Sequence, residues 1–365
     1  MKKYLLFTVF ISGMTTLAAE LAASRLIGNV FGTSNLVWAS IIGLILIYLS
    51  AGYFIGGKWA DNDPTPGAMY RALAWGAFTL GLVPYIAGPV LRSAATAFEG
   101  LDVGIMAGSF VAVLILFIVP ITLLGTISPF AIRLSVDDTS KAGQISGQIY
   151  AISTLGSFIG TFIPTLITIP TIGTRNTFLL FGMMLLIVAL IGLARFAGPR
   201  EMLKYLWMPF TLLIIAIAYV YASSNLIISY NTIKVFIGSI IIARFAYLRG
   251  VRLPSWTISI VLVIFILLYS NSNIKSNMGQ VYETESAYNY IQVQEINGFT
   301  LLRLNDGQGI HSIYHPETLQ YGGPWEEFLV GPYFYAGRKP ADVQRMAIVG
   351  LAAGTAARQA TAVYG

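Results

Sequence analysis

The chain has 365 residues, 56% of them hydrophobic and only 10% charged, with a mean hydropathy of +0.72 and a formal net charge of +6. A soluble domain carries about 25% charged residues, so this composition excludes an ordinary water-soluble globule and leaves lipid as the solvent for the long apolar runs. The lack of cysteine excludes disulfides and thiolate chemistry, two histidines are too few for a histidine-rich metal centre, and the basic residues lie between apolar segments rather than in a nucleic-acid-binding patch.

Met1-Lys2-Lys3 followed by an apolar run has the outline of a signal peptide, but the run reaches Ile27 and further spans follow, so it reads as a first membrane span. A bilayer core of about 30 Å needs roughly 20 apolar residues per helix. Segments that meet this are Tyr4–Ile27, Leu36–Gly56, Ala68–Leu91, Ile105–Ile132, Gln144–Ile169, Thr177–Ala194 and Tyr205–Tyr221. Ile227–Tyr247, with Lys234 near its middle, and Trp256–Leu268 are two further candidates, which leaves eight or nine spans.

Lys2, Lys3, Lys58, Arg71, Arg133, Lys141, Arg195, Arg200 and Lys204 fall on alternate connections, while the intervening ones carry only Arg92 and Arg175. The bias places the N-terminus in the cytoplasm of a multi-pass protein of a plasma or bacterial inner membrane. Nine spans put the C-terminal segment outside, as Arg244, Arg249 and Arg252 favour; eight put it inside.

Inside the bundle, Glu20 and Arg25 support a polar substrate path, inter-helix pairing or an interfacial arginine; their five-residue spacing does not stack them on one face. Gly143-x-x-x-Gly147 and Gly156-x-x-x-Gly160 are small-residue pairs suited to close helix contact. The stretch Gly56-Gly57-Lys58-Trp59-Ala60-Asp61, after the second span, resembles the start of the cytoplasmic loop signature of major facilitator transporters, without its arginine- and glycine-rich remainder.

The composition turns polar at Asn271. The expected organisation is a transmembrane bundle over 1–270, a linker over 271–280, a β region over 281–340 and the start of a further α/β unit over 341–365. Tyr288–Gln294 and Phe299–Leu304 predict two strands joined by a type I′ turn at Asn297-Gly298, with a third strand around Ile310–Ile313. Pro324 opens a helix whose Glu326 and Glu327 suit its positive end. Arg345–Val349 reads as a short strand, Gly350-Leu351-Ala352-Ala353-Gly354-Thr355 as a small-residue turn, and Ala356–Ala360 as a helix. Such a strand, turn and helix can cradle a nucleotide on bare backbone, or simply pack as a βα turn. The glycine spacing is not G-x-G-x-x-G, which argues against a dinucleotide oxidoreductase.

The tail resembles the spermidine synthases. Tyr282–Val293 is similar to their opening strands, Leu304–Ser312 to the following hairpin and Ile348–Thr355 to their glycine motif, in the family's order over roughly the last 85 residues. The whole chain looks like the membrane-fused branch of that polyamine aminopropyltransferase family, in which a transporter-like multi-span region precedes the synthase-like domain. The resemblance implies a Rossmann-like, methyltransferase-type domain holding S-adenosylmethionine, its decarboxylated form or the methylthioadenosine product. Asn289, Gly350, Leu351, Ala352, Ala353, Gly354 and Thr355 would bind that group, while His311, Tyr314, Glu326 and Glu327 would lie on the side of a small amine substrate.

Two departures bear on substrate. Glu326 stands where the family has a polyamine-contacting histidine, and Ala353 where it has an amine-contacting aspartate. The family's catalytic and ribose-holding acids would fall beyond Gly365, so the resemblance implies a chain that is part of a longer enzyme. Soluble relatives commonly associate through strands matching Tyr288–Leu304, which is compatible with a homo-oligomer and leaves the oligomeric state open. The alternative is a transporter-like membrane protein with a ligand-binding regulatory tail.

Overall fold

The computed structural model describes residues 2–98, 104–136, 138–225, 277–286, 289–305, 307 and 309–365. The chain divides into two compact units, Met1–Ile274 and Lys275–Gly365.

The first unit is helical: α1 (Lys2–Phe31), α2 (Asn35–Asn62), α3 (Pro66–Ala97), α4 (Gly104–Gly125), α5 (Ile127–Ser135), α6 (Ala142–Ile163), α7 (Ile169–Phe196), α8 (Pro199–Leu203) and α9 (Trp207–Asn225). Five helical stretches are long and apolar enough to cross a membrane, namely Lys2–Phe31, Asn35–Asn62, Pro66–Ala97, Gly104–Ser135 and Thr139–Phe196. The last has 58 residues. At 1.5 Å per residue it would extend about 87 Å, far more than one bilayer core. Gly173 breaks it with φ 80° and ψ 167°, between the expected spans Gln144–Ile169 and Thr177–Ala194. The candidates Ile227–Tyr247 and Trp256–Leu268 lie outside the described residues.

Helix starts follow from local chemistry. The Ser34 hydroxyl accepts the Val37 N–H at 3.4 Å, and Thr65 accepts the Ala68 N–H at 3.3 Å with Pro66 in the first turn of α3. Between helices, small residues set the approach. A Cβ at Gly156 would strike the Phe10 carbonyl oxygen and one at Gly160 the Met14 carbonyl oxygen, so α6 lies backbone to backbone on α1. Gly143 and Gly147 have open space instead; that pair mediates no contact among the described residues. The core holds Tyr70, Phe78, Phe117, Phe130 and Phe178, all fully buried, and Leu46, Ile47, Phe54, Phe158, Leu166 and Phe210 face outward as a lipid-facing surface requires.

Ion pairs gather several connections at one end of the bundle. Arg71 reaches Asp63 at 3.3 Å and Glu201 at 3.8 Å, and Arg133 meets Asp61 at 3.1 Å. Tyr4 lies 5.9 Å from the Arg195 guanidinium at the same end. Asp61, the last residue of the transporter-like signature, thus ties the end of α2 to α5, and Gly56 sits against Thr126.

The second unit is a four-stranded antiparallel meander, β1 (Gln280–Glu285), β2 (Tyr290–Ile296), β3 (Phe299–Leu304) and β4 (Ile310–Tyr314), followed by α10 (Pro324–Phe328) and α11 (Thr355–Tyr364). Ile296 pairs with Phe299 across Asn297 (φ 52°) and Gly298 (φ 82°), the turn expected for Asn-Gly. The alternate residues Tyr290, Gln292 and Gln294 of β2 are buried, and each side chain has a polar partner: Glu283, Asn277 and Arg303 respectively.

The expected strand Arg345–Val349 does not form. A strand exists only through ladder bonds to a neighbour, and the outer edge of β4 is already occupied. The Thr355 hydroxyl accepts the Ile313 N–H at 2.8 Å and donates to the Ile313 carbonyl at 2.8 Å, while Ser312 Oγ accepts the Ala353 N–H at 2.9 Å. Val349 is fully exposed. Only the helical half of the anticipated βα unit is present, as α11.

Candidate functional site

The second unit contains a cavity of about 400 Å³. Its floor is β4 at His311 and Ser312; one wall is Trp325, Phe328 and Leu329; the other is the 346–352 backbone with the first turns of α11 at Thr355, Ala356 and Ala360. Gly350 (φ 86°), Ala352 (φ 48°) and Gly354 (φ 87°) take left-handed conformations, and a Cβ at Gly350 or Gly354 would meet nothing within 4 Å. The turn therefore bends sharply and leaves bare backbone beside open space. The first N–H groups of α11 have no intrahelical acceptors, which gives this corner a positive, hydrogen-donating character.

Of the residues expected to hold an adenosyl group, Gly350, Leu351, Ala352 and Thr355 line the cavity. Ala353 and Gly354 stand beside it: the Ala353 N–H is spent on Ser312, and the Gly354 N–H on the Leu351 carbonyl at 2.9 Å. Asn289 is not on its walls. Its Oδ1 accepts from the Asn305 amide at 3.0 Å, and its N–H donates to Ser286 Oγ at 2.9 Å, so it closes the start of β2.

The substrate-side candidates separate in the same way. His311 lines the cavity, whereas Tyr314 lies under the Arg358 guanidinium, 4.5 Å from its ring centre. Glu326 is off the cavity wall. Its carboxylate accepts the Tyr321 N–H at 2.6 Å, the Gly323 N–H at 3.0 Å and the Gln359 amide at 3.0 Å, and so braces the start of α10 against α11. Desolvation pushes its pKa up, but those hydrogen bonds prevail and hold it below the usual carboxylate value. Glu327 is exposed, off the cavity wall.

Sequence reasoning missed the aromatic wall. Trp325 and Phe328 sit three apart on α10, a spacing that puts both on one face, and that was the available signal. Among the described residues no three His, Asp or Glu side chains converge as metal ligands. No known protein family, characterised protein or solved structure matches the chain.

Proposed function

We propose that the 275–365 unit binds the adenosyl group of S-adenosylmethionine, of its decarboxylated form or of methylthioadenosine, and that the protein is a membrane-bound, spermidine-synthase-like transferase. The observation that carries this reading is the cavity itself. Its volume of about 400 Å³ lies within the range of small-ligand sites, and it offers an aromatic face at Trp325 to a purine. The bare backbone at Gly350–Ala352 and the start of α11 offer N–H groups to the ribose oxygens or to the carboxylate of S-adenosylmethionine.

In the proposed reaction the lone pair of an amine attacks the carbon attached to the cationic sulfur, the carbon–sulfur bond breaks, and its electrons leave on a neutral thioether. The amine gives up one proton. Because the sulfonium is already a good leaving group, the protein's contribution is positioning and acceptance of that proton. His311, on the cavity floor, is the titratable side chain facing this chemistry. With Ala353 at the position of an amine-contacting carboxylate and Glu326 engaged elsewhere, an acceptor less highly charged than a polyamine is favoured. The basic connections gathered at one end of the bundle support a cytoplasmic position for that end.

Isothermal titration of the full chain in detergent with methylthioadenosine tests the reading. Saturable binding that is lost in Trp325→Ala supports it, and no heat from methylthioadenosine or either sulfonium overturns it.

A further inference from the structure

Glu20 sits about 5 Å past the midpoint of α1, near the centre of a span. It is half-buried, and among the described residues its carboxylate makes no hydrogen bond or ion pair. Thr16 and Ser24 lie one turn to either side of it on the same helical face. The hydroxyl protons of both are spent on the backbone: Thr16 donates to the Ser12 carbonyl at 2.9 Å and Ser24 to the Leu21 carbonyl at 2.8 Å. What this face presents is a carboxylate flanked by oxygens that can only accept.

The facing helix extends the pattern. Ser157 Oγ donates to the Gly13 carbonyl at 3.2 Å, and Gly156 meets Phe10 and Met14 while Gly160 meets Met14. The numbers rise together, so α1 and α6 run parallel. Glu20 lies seven residues beyond Gly13, two turns along and on the same face, while Thr161 and Pro164 stand four and seven residues beyond Ser157. The Thr161 hydroxyl donates to the Ser157 carbonyl at 3.0 Å and likewise has only lone pairs to offer. From Pro164 to Thr168 the backbone is π-helical, with the Ile169 N–H reaching back to Pro164, and this turn packs on α1. Wide turns of this kind inside helices concentrate at functional sites. Arg25, five residues on, points about 140° away around the helix and is not part of this surface.

We propose that Glu20, with Thr16 and Thr161, binds a small monovalent cation, either an alkali-metal ion or a protonated primary amine. A carboxylate at this depth is costly unless compensated, and an ionised carboxylate beside acceptors without donors is complementary to a cation. The proposal is independent of ligand binding by the tail.

Carbodiimide modification of Glu20 in the full chain, followed by mass spectrometry, tests it without a variant. Sodium chloride or methylammonium chloride, at about ten times its Kd, slows labelling about tenfold by mass action, while choline chloride at equal ionic strength does not. Protection by sodium alone assigns a metal ion, and protection by methylammonium alone assigns an amine. Equal labelling in all three salts overturns the proposal, as does a Glu20 that is never labelled. Glu20→Gln should abolish the cation-dependent rise in Tm; a rise that persists in that variant counts against the site.

Discussion

Thr355 holds Ile313 with both functions of its hydroxyl, accepting the Ile313 N–H and donating to the Ile313 carbonyl, each at 2.8 Å. One side chain thereby closes the edge of the sheet and fixes the first turn of α11 against the cavity. Thr355→Val keeps the shape and removes both bonds, leaving two backbone groups unpaired at a cost of about 1–3 kcal/mol each where they stay dry. Hydrogen exchange at Ile313 should accelerate accordingly, and Thr355→Ser should restore protection.

Trp325 supplies the aromatic face of the cavity. If a purine stacks there, Trp325→Ala weakens methylthioadenosine binding by about 1–3 kcal/mol, the usual worth of a base on an aromatic ring. Titration of the variant reads this directly, and an unchanged Kd removes the ring from the site.

At Gly354 the backbone has φ 87°, yet a Cβ there meets nothing within 4 Å. Gly354→Ala should therefore cost about 1–2 kcal/mol from left-handed strain alone, without a clash. Thermal unfolding of the variant measures it. A much larger loss would mean that the turn is packed.

Glu326 makes the tail acid-sensitive. Its folded-state pKa lies below the unfolded value, so the stabilisation is present above that value and is lost as pH falls through the folded pKa. The Tm difference between the native chain and Glu326→Gln should be largest near neutral pH and shrink below about pH 4.3. A difference that does not vary with pH would show that the carboxylate charge is irrelevant to the brace.

The two small-residue pairs on α6 should behave oppositely. Gly156→Leu drives a side chain into the Phe10 backbone and should separate α1 from α6, whereas Gly147→Leu has open space and should be tolerated. Thermal unfolding in detergent distinguishes them, with the Gly156 variant losing several kcal/mol by overpacking at a backbone contact.

Much of the fold was legible because the bilayer reduces it to a length rule. The runs at Tyr4–Ile27 and Ala68–Leu91 fall inside α1 and α3, and Asn297-Gly298 marked its hairpin by conformational preference alone. What sequence could not convey was competition for partners. Arg345–Val349 has the apolar character of a strand, but Thr355 and Ala353 occupy the edge of β4. Glu326 has the charge to meet an amine, but three hydrogen bonds turn it inward. The two Gly-x-x-x-Gly pairs are indistinguishable as strings and differ only in what faces them.

The parallel pairing of α1 with α6 sets a timetable for biogenesis. Gly13 and Ser157 are 144 residues apart, so a ribosome emitting about 5–20 residues per second takes roughly 7–30 s to deliver the second helix after the first. Throughout that interval the face of α1 that carries Phe10, Gly13 and Met14 waits in the membrane or its insertion machinery without the helix that will pack on it. A factor that shields unpaired faces of nascent spans would be needed most at this step.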